Sequence, residues 1–199
     1  MQTDKDYSTN ILKAYLRYLK LERNYSINTI DAYKHDIRCL LDYCLEIGQN
    51  VLQLRLEDLQ NFAATIHEKG IGPTSQARIL SGVRSFYRYM LLDGYIGADP
   101  AELLESPNLG QHLPEVLSTP EVDKLEKGID LTGKEGQRNK AIIEVLFSCG
   151  LRVSELVNLK LSQLFLDEGF VQVFGKGSKE RLVPISKRAI KELHLWFYD

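Results

Sequence analysis

The sequence predicts a mainly α-helical protein with one small β-hairpin, and three observations carry that reading. Apolar residues recur at three- and four-residue spacing through most of the first half of the chain. The same period returns in "STPEVDKLEKG" and "QRNKAIIEVLFSCG", beyond a connector rich in proline and glycine. Alternation occurs in "GFVQVFGKGSKERLVPI", where Gly175 and Gly177 break it at a turn.

Four helices are expected first. "TNILKAYLRYLKLERN" places Ile11, Leu12, Tyr15, Leu16 and Leu19 on one face. "SINTIDAYKHDIRCLLDYCLEIG" starts at a Ser26 cap and stops at Gly48, and a third helix runs from about Leu56 to Lys69 before Gly70. The fourth, "TSQARILSGVRSFYRYMLLDG", is capped by Thr74 or Ser75 after Pro73 and buries Ile79, Leu80, Val83, Phe86, Tyr87 and Met90. Residues 97 to 118 hold three prolines and two glycines, which sets a domain boundary near 106 to 113. A short and a long helix follow, helix resumes through "RVSELVNL" after Gly150, the hairpin comes next, and a last helix begins near Ser186.

The 199 residues carry a net charge of −2, with a pI near 6.1, which does not by itself announce a nucleic-acid binder. Distribution says more. From Lys176 to Lys191 run Lys176, Lys179, Arg181, Lys187, Arg188 and Lys191 against Glu180 alone, and Arg78, Arg84 and Arg88 recur along the fourth helix. No apolar run approaches the roughly 18 residues of a membrane span, and "MQTDKDYSTN" is no secretory signal, so a cytoplasmic place is expected. Cys39, Cys44 and Cys149 show no CxxC spacing and read as reduced core thiols; no metal site is expected.

The chemistry-bearing stretch is "SCGLRVSELVNLKLSQL", followed by "VFGKGSKERLVPIS". It puts a guanidinium, Arg152, at a helix start behind a glycine and a leucine, and an ammonium, Lys176, between two glycines on a turn. Arg152 can be a helix-start arginine paired with Glu155 one turn on, and Lys176 a turn lysine that discourages edge pairing. Arg78 and Arg84 can be solvated surface.

"CGLRVSELVNL" and "GKGSKERLVPI", in this order and spacing, resemble the tyrosine site-specific recombinases, most closely the bacterial Xer type and its XerD branch. "YLRYLKLERNYSINTIDAYKHDIRCL", "RILSGVRSFYRYML" and "LPEVLSTPEVDKL" extend the resemblance over nearly the whole chain. It implies a four-helix SAM-like core-binding domain over residues 1–106, then the first part of a mixed α/β catalytic domain over 107–199 with a small sheet. It also implies DNA breakage and rejoining through a 3′-phosphotyrosine, without metal or cofactor. In that frame Arg152 clamps the reacting phosphate, since a guanidinium offers two parallel donors where an ammonium offers a point charge. Lys176 protonates the leaving 5′-oxygen, Glu155 orients, and Arg78, Arg84, Lys179 and Arg181 contact DNA. The implied partners are duplex DNA, a second recombinase protomer and a division-associated DNA translocase, in chromosome dimer resolution.

The family's HxxR box and nucleophilic tyrosine are not found. Only His35 has an arginine three positions on, Arg38, and that pair lies in the expected second helix, far ahead of Arg152 and not downstream of the hairpin where the family's box belongs; His67, His112 and His194 have none. Tyr198 follows the hairpin without the intervening boxes and is expected to be a helix residue packing with Trp196 or Phe197, so no nucleophile is assigned. The chain is expected to be a fragment of a longer recombinase or a truncated product. A non-catalytic DNA-binding remnant, a mobile-element integrase, or a helical interaction protein with no DNA role are the alternatives.

Overall fold

The structure, a computed structural model, describes residues 2–110, 114–175 and 179–198. The chain divides into two compact units, Met1–His112 and Leu113–Asp199.

The first unit is four helices: α1 Gln2–Leu21, α2 Ile27–Ile47, α3 Leu56–Glu68 and α4 Pro73–Leu92. Ser26 caps α2 as its spacing predicts, its side chain accepting from the Thr29 N–H at 3.3 Å, and Gly48 ends the helix at φ 67, where a side chain would be strained. α4 differs from expectation. It begins at Pro73 with Gly72 as its cap, not at Thr74 or Ser75. Proline suits a first helical position because it has no N–H to leave unpaired and its φ is already helical. The six apolar residues expected to be buried on α4 are all buried, and they meet Tyr15 and Leu19 of α1, Ile37 and Leu40 of α2, and Leu59 and Phe62 of α3. Each such side chain contributes about 1.5–3 kcal/mol of burial, which is how a helix set with few cross-links stays together. The core reaches past α4 to Ala101 and Leu104.

The second unit carries α5 Thr119–Lys127, α6 Gly136–Cys149, the short α7 Val153–Val157, a 3₁₀ turn Leu161–Gln163, strands β1 Leu164–Phe165, β2 Phe170–Phe174 and β3 Glu180–Pro184, and α8 Lys187–Tyr198. The expected hairpin is β2–β3, and β1 adds a third antiparallel strand, Leu164 opposite Val171 and Phe165 opposite Phe170. Two residues carry no alternation to read, so β1 leaves no mark in the sequence. Val171 and Val173 point inward against Ala141 and Val145 of α6 and Ala189 and Leu193 of α8. Around that core Arg188 at the start of α8 reaches Asp123 and Glu126 of α5, each at 2.6 Å, and Glu144 of α6. Lys140 and Gln137 of α6 both bind Glu192 of α8, at 3.0 and 2.8 Å. Polar ties thus fasten α8 to two helices at once.

Tyr198 is 89% exposed at the end of α8, and the ring contact there joins Trp196 to Phe197 at 5.4 Å. The expected packing of Tyr198 is therefore not observed, because its side chain stands almost wholly in solvent at the helix end. All three cysteines are free thiols, Cys44 and Cys149 buried and Cys39 partly so.

Candidate nucleic-acid interface

Gly150 closes α6 at φ 58, Leu151 turns into the core, and Arg152 then takes an extended conformation (φ −72, ψ 150) as the cap of α7. The chain reversal is what presents Arg152: its neighbour is anchored while its own side chain is 71% exposed. One turn on, the Glu155 side chain is buried and accepts four hydrogen bonds. They come from the Arg152 N–H at 2.9 Å, Arg152 Nη1 at 3.0 Å, and Arg181 Nη1 and Nη2 at 3.0 and 2.8 Å. The fork from Arg181, and next the backbone N–H of Arg152, hold the Glu155 carboxyl down at about 2. Glu155 is therefore an anion over the whole physiological range, and two guanidinium groups against one carboxylate leave a net positive site.

A guanidinium has five N–H donors, and Arg152 gives one of its own to Glu155. The others are open to an incoming oxyanion. The helix-start pairing and the phosphate-clamp reading of Arg152 are thus compatible: the pairing fixes the end of the side chain while leaving its outer donors free.

Lys176 lies outside the described residues. On either side of the undescribed stretch, the Gly175 N–H donates to the Lys179 carbonyl at 2.8 Å, and the Lys179 side chain is exposed. Arg181 is held by Glu155 rather than free.

In the first unit Arg78 is half-exposed and binds the buried Asp36 at 2.5 Å. Arg84 donates to the Leu104 carbonyl at 2.8 Å and to Ser106 Oγ at 2.9 Å, fastening α4 to the start of the connector. Both arginines have structural partners. Asp36 escapes a reading for function. Its one signal is a carboxylate beside Ile37, one turn before Leu40, on the face α2 turns to the core. Burial raises its carboxyl above the usual range, against the pull of Arg78. Among the described residues no group of three or more His, Cys, Asp or Glu side chains could hold a metal ion, and no helix is long and apolar enough to cross a membrane.

Residues 12–94 match the phage integrase N-terminal SAM-like domain, and residues 115–199 match the phage integrase family. The chain belongs to the phage integrase family. Among relatives of this family, tyrosine recombinase XerD of Listeria monocytogenes is 37% identical over 193 residues, covering 96% of this chain and 65% of the relative. Tyrosine recombinase XerC of Xanthomonas campestris is 36% identical over 195 residues, covering 98% and 60%. The chain therefore spans 60–65% of the length of these curated relatives. Solved integrases share the fold: a lambda integrase tetramer bound to a Holliday junction at TM-score 0.71 and 16% identity, covering 92% of this chain and 52% of that one. The XerH recombinase bound to its palindromic difH substrate superposes at 0.69 and 18%, covering 100% and 62%.

Proposed function

We propose that this chain carries the DNA-grasping unit and the first catalytic groups of a Xer-type tyrosine recombinase, acting in site-specific recombination of chromosomal DNA in the cytoplasm. The observation that carries the reading is Arg152: an exposed guanidinium held at one edge by a buried, permanently charged Glu155, with donors left over for a phosphate.

The chemistry follows from that arrangement. In a complete recombinase a tyrosine hydroxyl attacks the DNA phosphorus, the bond to the 5′-oxygen breaks, and a 3′-phosphotyrosine forms. Negative charge builds on the nonbridging oxygens, where Arg152 offers two parallel donors already oriented by Glu155. Lys176 gives its proton to the departing 5′-oxygen, leaving a hydroxyl. Lys179 on the hairpin, and Arg78 and Arg84 on α4, supply phosphate contacts that position the duplex without reading its sequence. Residues 1–106 form the core-binding domain and 107–199 the first part of the catalytic one. A second recombinase protomer on the DNA and a division-associated DNA translocase complete the proposed partners, in chromosome dimer resolution.

The test uses a form extended to the full length of the relatives, of which this chain spans 60–65%. Arg152→Lys keeps DNA binding and loses cleavage by about 10²–10³, since an ammonium retains the charge but not the paired donors. Lys176→Ala also slows cleavage, and a substrate with sulfur at the bridging 5′ position, a better leaving group, restores Lys176→Ala but not Arg152→Lys. Equal rescue of both variants removes the proton-donor role.

A further inference from the structure

Arg181 has so far stood among the phosphate contacts, yet its place in the sheet points elsewhere. β3 pairs with β2 so that Arg181 lies opposite Val173, and Val183 opposite Val171. Cross-strand partners share a face, and Val171 and Val173 are buried, so Arg181 belongs to the core-facing row. The other row faces solvent: Leu182 is exposed, and Gln172 binds Glu180 across the ladder at 2.6 Å. A cation on the inner row needs a partner, and Glu155 provides one through two parallel hydrogen bonds at 3.0 and 2.8 Å. The hairpin backbone rests directly on that pair. A Cβ placed on Gly175 would stand 3.0 Å from Arg181 Nη1 and 3.6 Å from Glu155 Oε1. Glu155 in turn holds both the backbone and the guanidinium of Arg152.

We infer that Arg181 is a positioning residue, not a DNA contact: its fork to Glu155 fastens strand β3 and the Gly175 edge of the hairpin to the start of α7, so that the phosphate clamp Arg152 and the base of the hairpin share one carboxylate. The inference rests on the role proposed above for Arg152. It assigns to Arg181 a bond that lysine cannot replace, because one ammonium cannot engage both carboxylate oxygens in parallel.

The experiment uses the chain as it is, with Arg181→Gln, Arg181→Lys and, for comparison, Arg152→Gln. Carboxyl NMR across pH should move the Glu155 midpoint from about 2 up toward the ordinary carboxylate value in both Arg181 variants. Hydrogen exchange of the Gly175 N–H, which closes the hairpin loop onto Lys179, should speed up about tenfold or more in both, with Val171 and Val173 amides still protected as evidence of an intact sheet. Titration of a generic duplex against salt should leave the slope of log K unchanged in Arg181→Gln, while Arg152→Gln reduces it by about one. A slope reduced by about one in Arg181→Gln and restored in Arg181→Lys makes Arg181 a phosphate contact and overturns the inference. Unchanged Gly175 exchange in both variants overturns it as well. If the chain binds no duplex at any salt, the functional reading falls, and the carboxyl and exchange measurements still decide whether Arg181 holds the hairpin.

Discussion

Gly82 of α4 lies against Asp36 of α2 so closely that a Cβ at position 82 would stand 2.9 Å from the Asp36 Cβ and 2.9 Å from its Oδ2. Alanine normally improves a helix interior by about 1 kcal/mol over glycine. Here the first atom it meets is a Cβ, which cannot swing aside without moving α2. Gly82→Ala is therefore expected to lower stability by about 1–3 kcal/mol, the usual cost of overpacking, and to disturb the Asp36–Arg78 pair. Urea denaturation measures it; a variant as stable as the parent contradicts the close crossing.

The first core extends to Ala101 and Leu104, and Arg84 grips the Leu104 carbonyl and Ser106 Oγ, so a fragment of residues 1–106 retains every contact of that core. It is expected to fold alone, with a helical far-UV spectrum and a cooperative melt. Leu104→Ala in it should cost about 2–4 kcal/mol. A random-coil spectrum for the fragment removes the proposed division into 1–106 and 107–199.

Glu144 is raised from its ordinary value, first by burial and next by the neighbouring Glu126, against the pull of Arg188. The unfolded carboxyl titrates near the ordinary 4.3, so above that value the folded state retains a proton the unfolded chain has lost. The contribution of Glu144 to stability is thus greatest at low pH and falls as pH rises toward the folded value of about 7. Glu144→Gln should flatten the fall in melting temperature between about pH 5 and 7 relative to the parent. Parallel curves for the two proteins exclude this role.

How much was legible follows from the range of each interaction. The α4 stripe Ile79, Leu80, Val83, Phe86, Tyr87 and Met90 was readable because burial there follows the helix period alone. The hairpin was readable because its alternation spans both strands, whereas β1, at two residues, had no period to show. Arg152 and Glu155 were readable as an i,i+3 pair. The fork between Glu155 and Arg181 joins residues 26 apart, and the Arg188–Asp123 pair residues 65 apart, so only the folded chain brings them together. Asp36 is the instructive miss: a buried charge on an apolar stripe has a partner, but nothing local says that the partner is Arg78, 42 residues on.

Covalent chemistry is not expected of this chain as it stands. Tyr198 lies at the exposed end of α8 and outside any match to the family's tyrosine motif. Incubation with a nicked suicide duplex and denaturing electrophoresis should show no protein-linked DNA. A linked band that vanishes in Tyr198→Phe shows the opposite.

The most direct measurement is the binding of the intact chain to duplex DNA by fluorescence anisotropy across a salt series. With Arg152, Lys179, Arg78 and Arg84 each reaching a phosphate, about three to four counterions are released, and affinity should fall about 10²-fold between 50 and 200 mM salt. Absence of binding at the lowest salt, or binding that salt leaves unchanged, contradicts the account that this chain grips the DNA backbone.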